Sequence, residues 1–114
     1  MSTITTHVLN TSIGEPGREI EVRLEERVNG QFEERFSGKT DKDGRLNLSE
    51  KGISYSSGVY RLHFALSSYF DRLDLACFFP EASLVFEIKE KGQNPHYHVP
   101  LLLSSYGYTT YRGS

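Results

Sequence analysis

Apolar and polar positions alternate with period two along most of this chain, the signature of half-buried strands. Ile20, Val22 and Leu24 alternate with Glu21, Arg23 and Glu25, which predicts a strand with one core face and one solvated face. Tyr60, Leu62, Phe64 and Leu66 share a face of 59–66, and Leu84, Phe86 and Ile88 alternate with Val85, Glu87 and Lys89. Residues 3–9 are β-branched and alternate loosely, which predicts a strand carrying His7. Strands are also expected over 31–38 and from Arg45 onward. In the last stretch, Tyr97, Val99, Leu101 and Leu103 form an apolar face. The opposite face carries His96, His98, Pro100 and Leu102, a mixture that points to a concave or interfacial surface rather than plain solvent.

Turn chemistry separates these segments. Asn29-Gly30 predicts a tight hairpin because both residues accept positive φ. Residues 10–17, 40–44, 51–58 and 92–95 read as loops or turns, and 76–80 ends in a proline that suits a loop or edge. Ser67 is placed to cap one short helix over 68–73. The terminal stretch should hold two strands joined near 104–107. About eight short strands at roughly ten-residue spacing, with one helix, predict an all-β, two-sheet antiparallel sandwich.

The 114 residues suit a single domain, 1–114, with one core fed by seven Phe and seven Tyr. The formal charge is −2 and no basic block occurs, which argues against nucleic acid as a partner. No apolar run approaches the roughly 20 residues that span a bilayer, so no membrane partner is expected. The first residues lack a signal-peptide core, Arg112-Gly113-Ser114 is not a peroxisomal address, and Cys77 is the single cysteine. A cytoplasmic setting is the expectation; a removed leader would make it periplasmic.

The polar candidates are individually weak. His7 in a strand reads equally well as solvent-facing. His96 and His98 at i, i+2 could hold a metal, but no Cys or further His at ligand spacing joins them, so no metal site is expected. Arg45 after Asp41-Lys42-Asp43-Gly44 reads by default as a solvated turn arginine, and the calcium-loop likeness of that turn lacks its remaining ligands. Cys77, beside Phe78 and Phe79, reads as a buried small apolar residue.

Together these segments carry a resemblance. His7-Val-Leu-Asn-Thr, Thr40-Asp-Lys-Asp-Gly-Arg-Leu46, Phe78-Phe-Pro-Glu81, His96-Tyr-His-Val-Pro-Leu-Leu-Leu-Ser104 and the terminal Tyr111-Arg-Gly-Ser114 resemble, in order and spacing, the 5-hydroxyisourate hydrolases of the transthyretin-like family. The resemblance covers essentially the whole chain, and its terminal tetrapeptide separates the hydrolases from the hormone-carrying transthyretins. It implies ring opening of 5-hydroxyisourate by water, giving 2-oxo-4-hydroxy-4-carboxy-5-ureidoimidazoline, without cofactor or metal. It implies that His7, Arg45 and His98 are the catalytic group, that Tyr111, Arg112, Gly113 and Ser114 complete the site, and that His96 is at most a support. It also implies a homotetramer with sites at the dimer–dimer interface. Asn10 and Ser105 depart from the family's usual Asp and Pro, and Ser105 is expected to loosen the last turn. The competing readings are a transthyretin-like small-molecule carrier and a sandwich module for adhesion.

Overall fold

The computed structural model describes residues 1–89 and 95–113. Gly92 to Asn94, read as a turn, and Ser114, expected in the site, lie outside the described residues. The elements are β1 (Thr3–Asn10), β2 (Glu15–Pro16), β3 (Glu21–Val28), β4 (Gln31–Lys39), β5 (Arg45–Asn47), a 3-10 turn (Glu50–Gly52), β6 (Gly58–Ala65), α1 (Ser67–Arg72), β7 (Glu81–Ile88), β8 (His96–Ser104) and β9 (Gly107–Thr110). Two sheets result: β2-β1-β8-β9, with β5 also on β1, and β4-β3-β6-β7.

Period-two patterning explains the core directly. The first sheet turns Ile4, Val8, Val99, Leu101 and Leu103 inward; the second contributes Val22, Leu24, Leu62, Phe64, Leu84 and Ile88. Each such side chain contributes roughly 1.5–3 kcal/mol on leaving water, which fixes the strand register, since a one-residue slip would expose the whole set. Asn29 and Gly30 have φ of 52° and 80°, as the hairpin between β3 and β4 requires.

The antiparallel expectation fails for one pair. β1 and β8 run parallel in unbroken register from Thr3 opposite His96 to Asn10 opposite Leu103. A short hairpin dictates antiparallel pairing; strands separated by the whole second sheet have no such constraint. The expected solvated face of β3 is also interrupted. Glu25 is buried, because the register shifts at Leu24/Glu25 and two arginines close over its carboxylate. Ser67 begins α1 rather than capping it: Leu66 is the cap residue, and the Leu66 and Ser67 N–H groups donate to the Pro80 carbonyl at 2.9 and 3.1 Å. A tertiary contact thus replaces the expected side-chain cap.

Two further expectations change. Cys77 is only partly buried and its thiol donates to the Phe79 carbonyl at 3.2 Å, while the Phe78 ring stands in solvent. Ser105 pins the β8–β9 turn instead of loosening it. Its N–H donates to Ser12 Oγ at 3.1 Å and its carbonyl accepts the Phe78 N–H at 2.8 Å; a proline could make only the second bond. Asn10 is buried and satisfied, donating to the Tyr69 hydroxyl and accepting the Ser12 N–H, both at 3.0 Å.

Candidate active site

The outer face of the first sheet collects the polar residues. β1 is the middle strand there: Arg45 of β5 pairs with His7, Asn47 pairs with Thr5, and across the other edge His98 pairs with Thr5. Paired residues in a sheet project from the same face. His7, Arg45 and His98, separated by up to 91 positions in the sequence, therefore stand on one surface. An open depression of 340 Å³ lies there, lined by Thr5, Arg45, Asn47, His96 and His98 among others.

The turn at 41–44 holds this arrangement in place. The Asp41 carboxylate accepts the N–H groups of Asp43 and Arg45, each at 2.9 Å. Those bonds, the Arg45 amide first, hold the carboxyl below its usual range. Gly44 has φ +77° and its carbonyl accepts the Val8 N–H at 2.8 Å. A Cβ at Gly44 would sit 2.4 Å from the Val8 carbonyl oxygen, so only glycine lets the turn close onto β1. His7 Nε2 lies 2.9 Å from the Asp43 carbonyl. A carbonyl only accepts, so His7 carries its hydrogen on Nε2 and presents Nδ1 bare when neutral.

His98 sits deeper. Its Nδ1 lies 2.8 Å from Thr5 Oγ1, which leaves Nε2 for a ligand. Burial pushes its pKa below the usual 6.5, and His7, His96 and Arg45 push the same way. The ring is thus neutral near pH 7. The tail meets it from the other side: the Gly113 N–H donates to the His98 carbonyl at 2.8 Å, and a Cβ at Gly113 would come within 2.6 Å of His98 Cδ2. Among the described residues, no carboxylate pairs with the exposed Arg45 guanidinium, and no three His, Cys, Asp or Glu side chains converge as a metal-holding group.

Of the residues expected from the sequence, the fold brings together His7, Arg45, His98 and Gly113. Tyr111 and Arg112 are placed elsewhere within the chain. Both line a groove bounded by Leu84, Phe86 and Tyr97, and the Arg112 guanidinium lies 4.4 Å above the Tyr97 ring. Tyr97 is on the core side of β8, opposite His98, which carries the two tail residues to the far side. Sequence reasoning missed Thr3 and Thr5. Their i, i+2 spacing ahead of His7 was the available signal, but only the parallel register with β8 sets them against the histidines.

The HIUase/transthyretin family pattern matches residues 4–113. A 5-hydroxyisourate hydrolase of Salmonella dublin is 40% identical over 97% of this chain and 80% of its own length. The structure of Klebsiella pneumoniae 5-hydroxyisourate hydrolase superposes with a TM-score of 0.85 at 31% identity, covering 100% of both chains. Sea bream transthyretin, solved in complex with thyroxine, superposes with a TM-score of 0.86 at 25% identity, covering 96% of this chain and 93% of that one. By the span of the family pattern and the identity to these relatives, the chain belongs to the HIUase/transthyretin family.

Proposed function

We propose that this chain, as one domain over 1–114, is a 5-hydroxyisourate hydrolase that opens the six-membered ring of its substrate with water. The observation that carries this reading is the meeting of two imidazoles and a guanidinium on one open face, in a chain whose relatives bear that enzyme's name. The reaction requires a group that takes a proton from water, a charge opposite the developing oxyanion and a group that returns a proton to the leaving nitrogen. A neutral imidazole near pH 7 meets the first and, once protonated, the third. His98, held neutral by burial and by neighbouring positive groups, and His7, with Nδ1 bare, form that pair. Arg45, whose guanidinium makes no close ion pair among the described residues, offers a planar fork for the substrate's carbonyl edge.

In this mechanism water loses a proton to imidazole while its oxygen adds to the ring carbonyl. The oxyanion forms beside Arg45. Collapse breaks the carbon–nitrogen bond, and the imidazole nitrogen that took the proton from water gives a hydrogen to the departing nitrogen. No covalent intermediate forms on the protein. A carrier reading would want apolar walls; the depression instead offers imidazoles and a guanidinium. The tail, Tyr111 to Ser114, is proposed to complete the site in a homotetramer. Tyr111 and Arg112 would then contribute across a subunit contact. The decisive assay generates 5-hydroxyisourate in situ by enzymatic oxidation of urate and follows its decay with and without the protein. Accelerated decay is expected, and an unchanged decay rate refutes the reading.

A further inference from the structure

We propose that Thr5 is a positioning residue for His98, and that its hydroxyl locks the His96 and His98 rings into the same tautomer along one hydrogen-bonded string. This rests on the reading of His98 as an acid–base group in the hydrolysis. Thr3 Oγ1 lies 2.7 Å from His96 Nδ1, His96 Nε2 lies 3.0 Å from Thr5 Oγ1, and Thr5 Oγ1 lies 2.8 Å from His98 Nδ1. The parallel pairing of β1 with β8 creates the string, because it sets Thr3 opposite His96 and Thr5 opposite His98 on the outer face.

A hydroxyl has one hydrogen to give, and a neutral imidazole has one N–H and one bare nitrogen. If Thr5 donates to His98 Nδ1, it must accept from His96 Nε2–H, and His96 Nδ1 then accepts from Thr3. Both rings carry hydrogen on Nε2. If Thr5 donates to His96 Nε2 instead, it accepts from His98 Nδ1–H, and His96 Nδ1–H donates to Thr3. Both rings then carry hydrogen on Nδ1. With neutral rings and the Thr5 hydrogen given within the string, only these two arrangements make all three bonds; a Thr5 oxygen that accepted from both rings would turn its hydrogen out of the string and leave the two tautomers opposed, which the test below reads as unequal fractions.

The consequence falls on His98 Nε2, the nitrogen that Thr5 leaves free. It is bare, a base, in one arrangement and an N–H donor in the other. Hydrolysis needs both characters in succession. A proton entering at Nε2 sends the Nδ1 hydrogen to Thr5, the Thr5 hydrogen to His96, the His96 Nδ1 hydrogen to Thr3 and the Thr3 hydrogen to solvent. One proton enters and one leaves, so the ring ends neutral. His96 is exposed, which gives the string an open end. Among the described residues, the groups whose charge bears on His98 are His7, His96 and Arg45, and none of these is a carboxylate that would compete with Thr5 for orienting the ring.

Thr5→Val keeps the β-branched shape and removes the hydroxyl; Thr5→Ser keeps the hydroxyl. Imidazole nitrogen-15 shifts read tautomers without turnover. At about pH 8, His96 and His98 should show equal Nδ1–H fractions in the unaltered protein and in Thr5→Val unequal ones. Thr5→Val should also lose at least about 10-fold in kcat with KM nearly unchanged, and Thr5→Ser should recover most of it. Unequal fractions in the unaltered protein, or Thr5→Val with full kcat and an unshifted pH profile, overturns the proposal. If the unaltered protein leaves 5-hydroxyisourate untouched, the functional reading falls, and the nitrogen shifts alone decide the string.

Discussion

The outer face of the β4-β3-β6-β7 sheet carries its charges in partnership. The Glu25 carboxylate accepts from Arg61 Nε at 2.7 Å and Arg23 Nε at 3.2 Å, and His63 Nε2 lies 3.3 Å from Glu81 Oε1. The Arg61 guanidinium also lies 4.1 Å above the Phe32 ring. The outer face of the first sheet carries Arg45, His7, His96 and His98, and their partners there are hydroxyls and a main-chain carbonyl. Both sheets bury apolar inner faces of the same kind. The difference lies in where charge is spent: one face is compensated internally, and the other keeps cationic and titratable groups available to a ligand. The second arrangement adds little to folding, which is expected of a surface kept for chemistry.

The largest expected effect sets the two faces directly against each other. His98→Asn should lower kcat/KM by about 10²-fold or more, the scale of a lost acid–base group. Glu25→Ala should leave turnover unaltered. Equal activity in both variants would erase the functional distinction between the faces. In folding the order reverses. Glu25→Ala strips two guanidinium bonds from a nearly enclosed site and should cost about 2 kcal/mol in denaturant unfolding, against a smaller change for His98→Asn. Next comes Gly113→Ala, whose Cβ would press on His98 Cδ2 from 2.6 Å. Since Thr5 holds the ring from the other side, turnover should fall by roughly 10-fold with an unchanged melting temperature.

The smallest effects separate the faces by pH. The His98 pKa lies below 6.5, so between that folded value and 6.5 the unfolded chain binds a proton that the native ring refuses. Stability should decline as pH drops from 6.5 toward the folded value, then stop declining on that account. The Glu25 pKa lies below its usual 4.5, chiefly through the Arg61 bond, so its contribution persists above 4.5 and is lost as pH falls further. Two acid windows are expected in unfolding against pH, the higher removed by His98→Asn and the lower by Glu25→Ala. The acid limb of kcat/KM should lie below pH 6.5. An acid limb above that value would sink the neutral-His98 account.

Much of the architecture was written in period-two alternation. The inner faces of β3, β6, β7 and β8, the Asn29-Gly30 hairpin and the His96/His98 face could be read from spacing, because burial on one side of a pleated strand leaves that imprint. The sequence by itself also determined which residue types were available for the chemistry, and the family resemblance singled out His7, Arg45 and His98. It could not determine that β1 and β8 run parallel. Local patterning reports which way a side chain faces and is silent on which distant strand lies alongside, or in which direction. Only tertiary pairing brings His7 beside Arg45, sets Thr5 against His98 and carries Arg112 over Tyr97. It also decides that Glu25 is enclosed, because a bulge and Arg61 of the adjacent strand, joined by Arg23 two residues back, close over it.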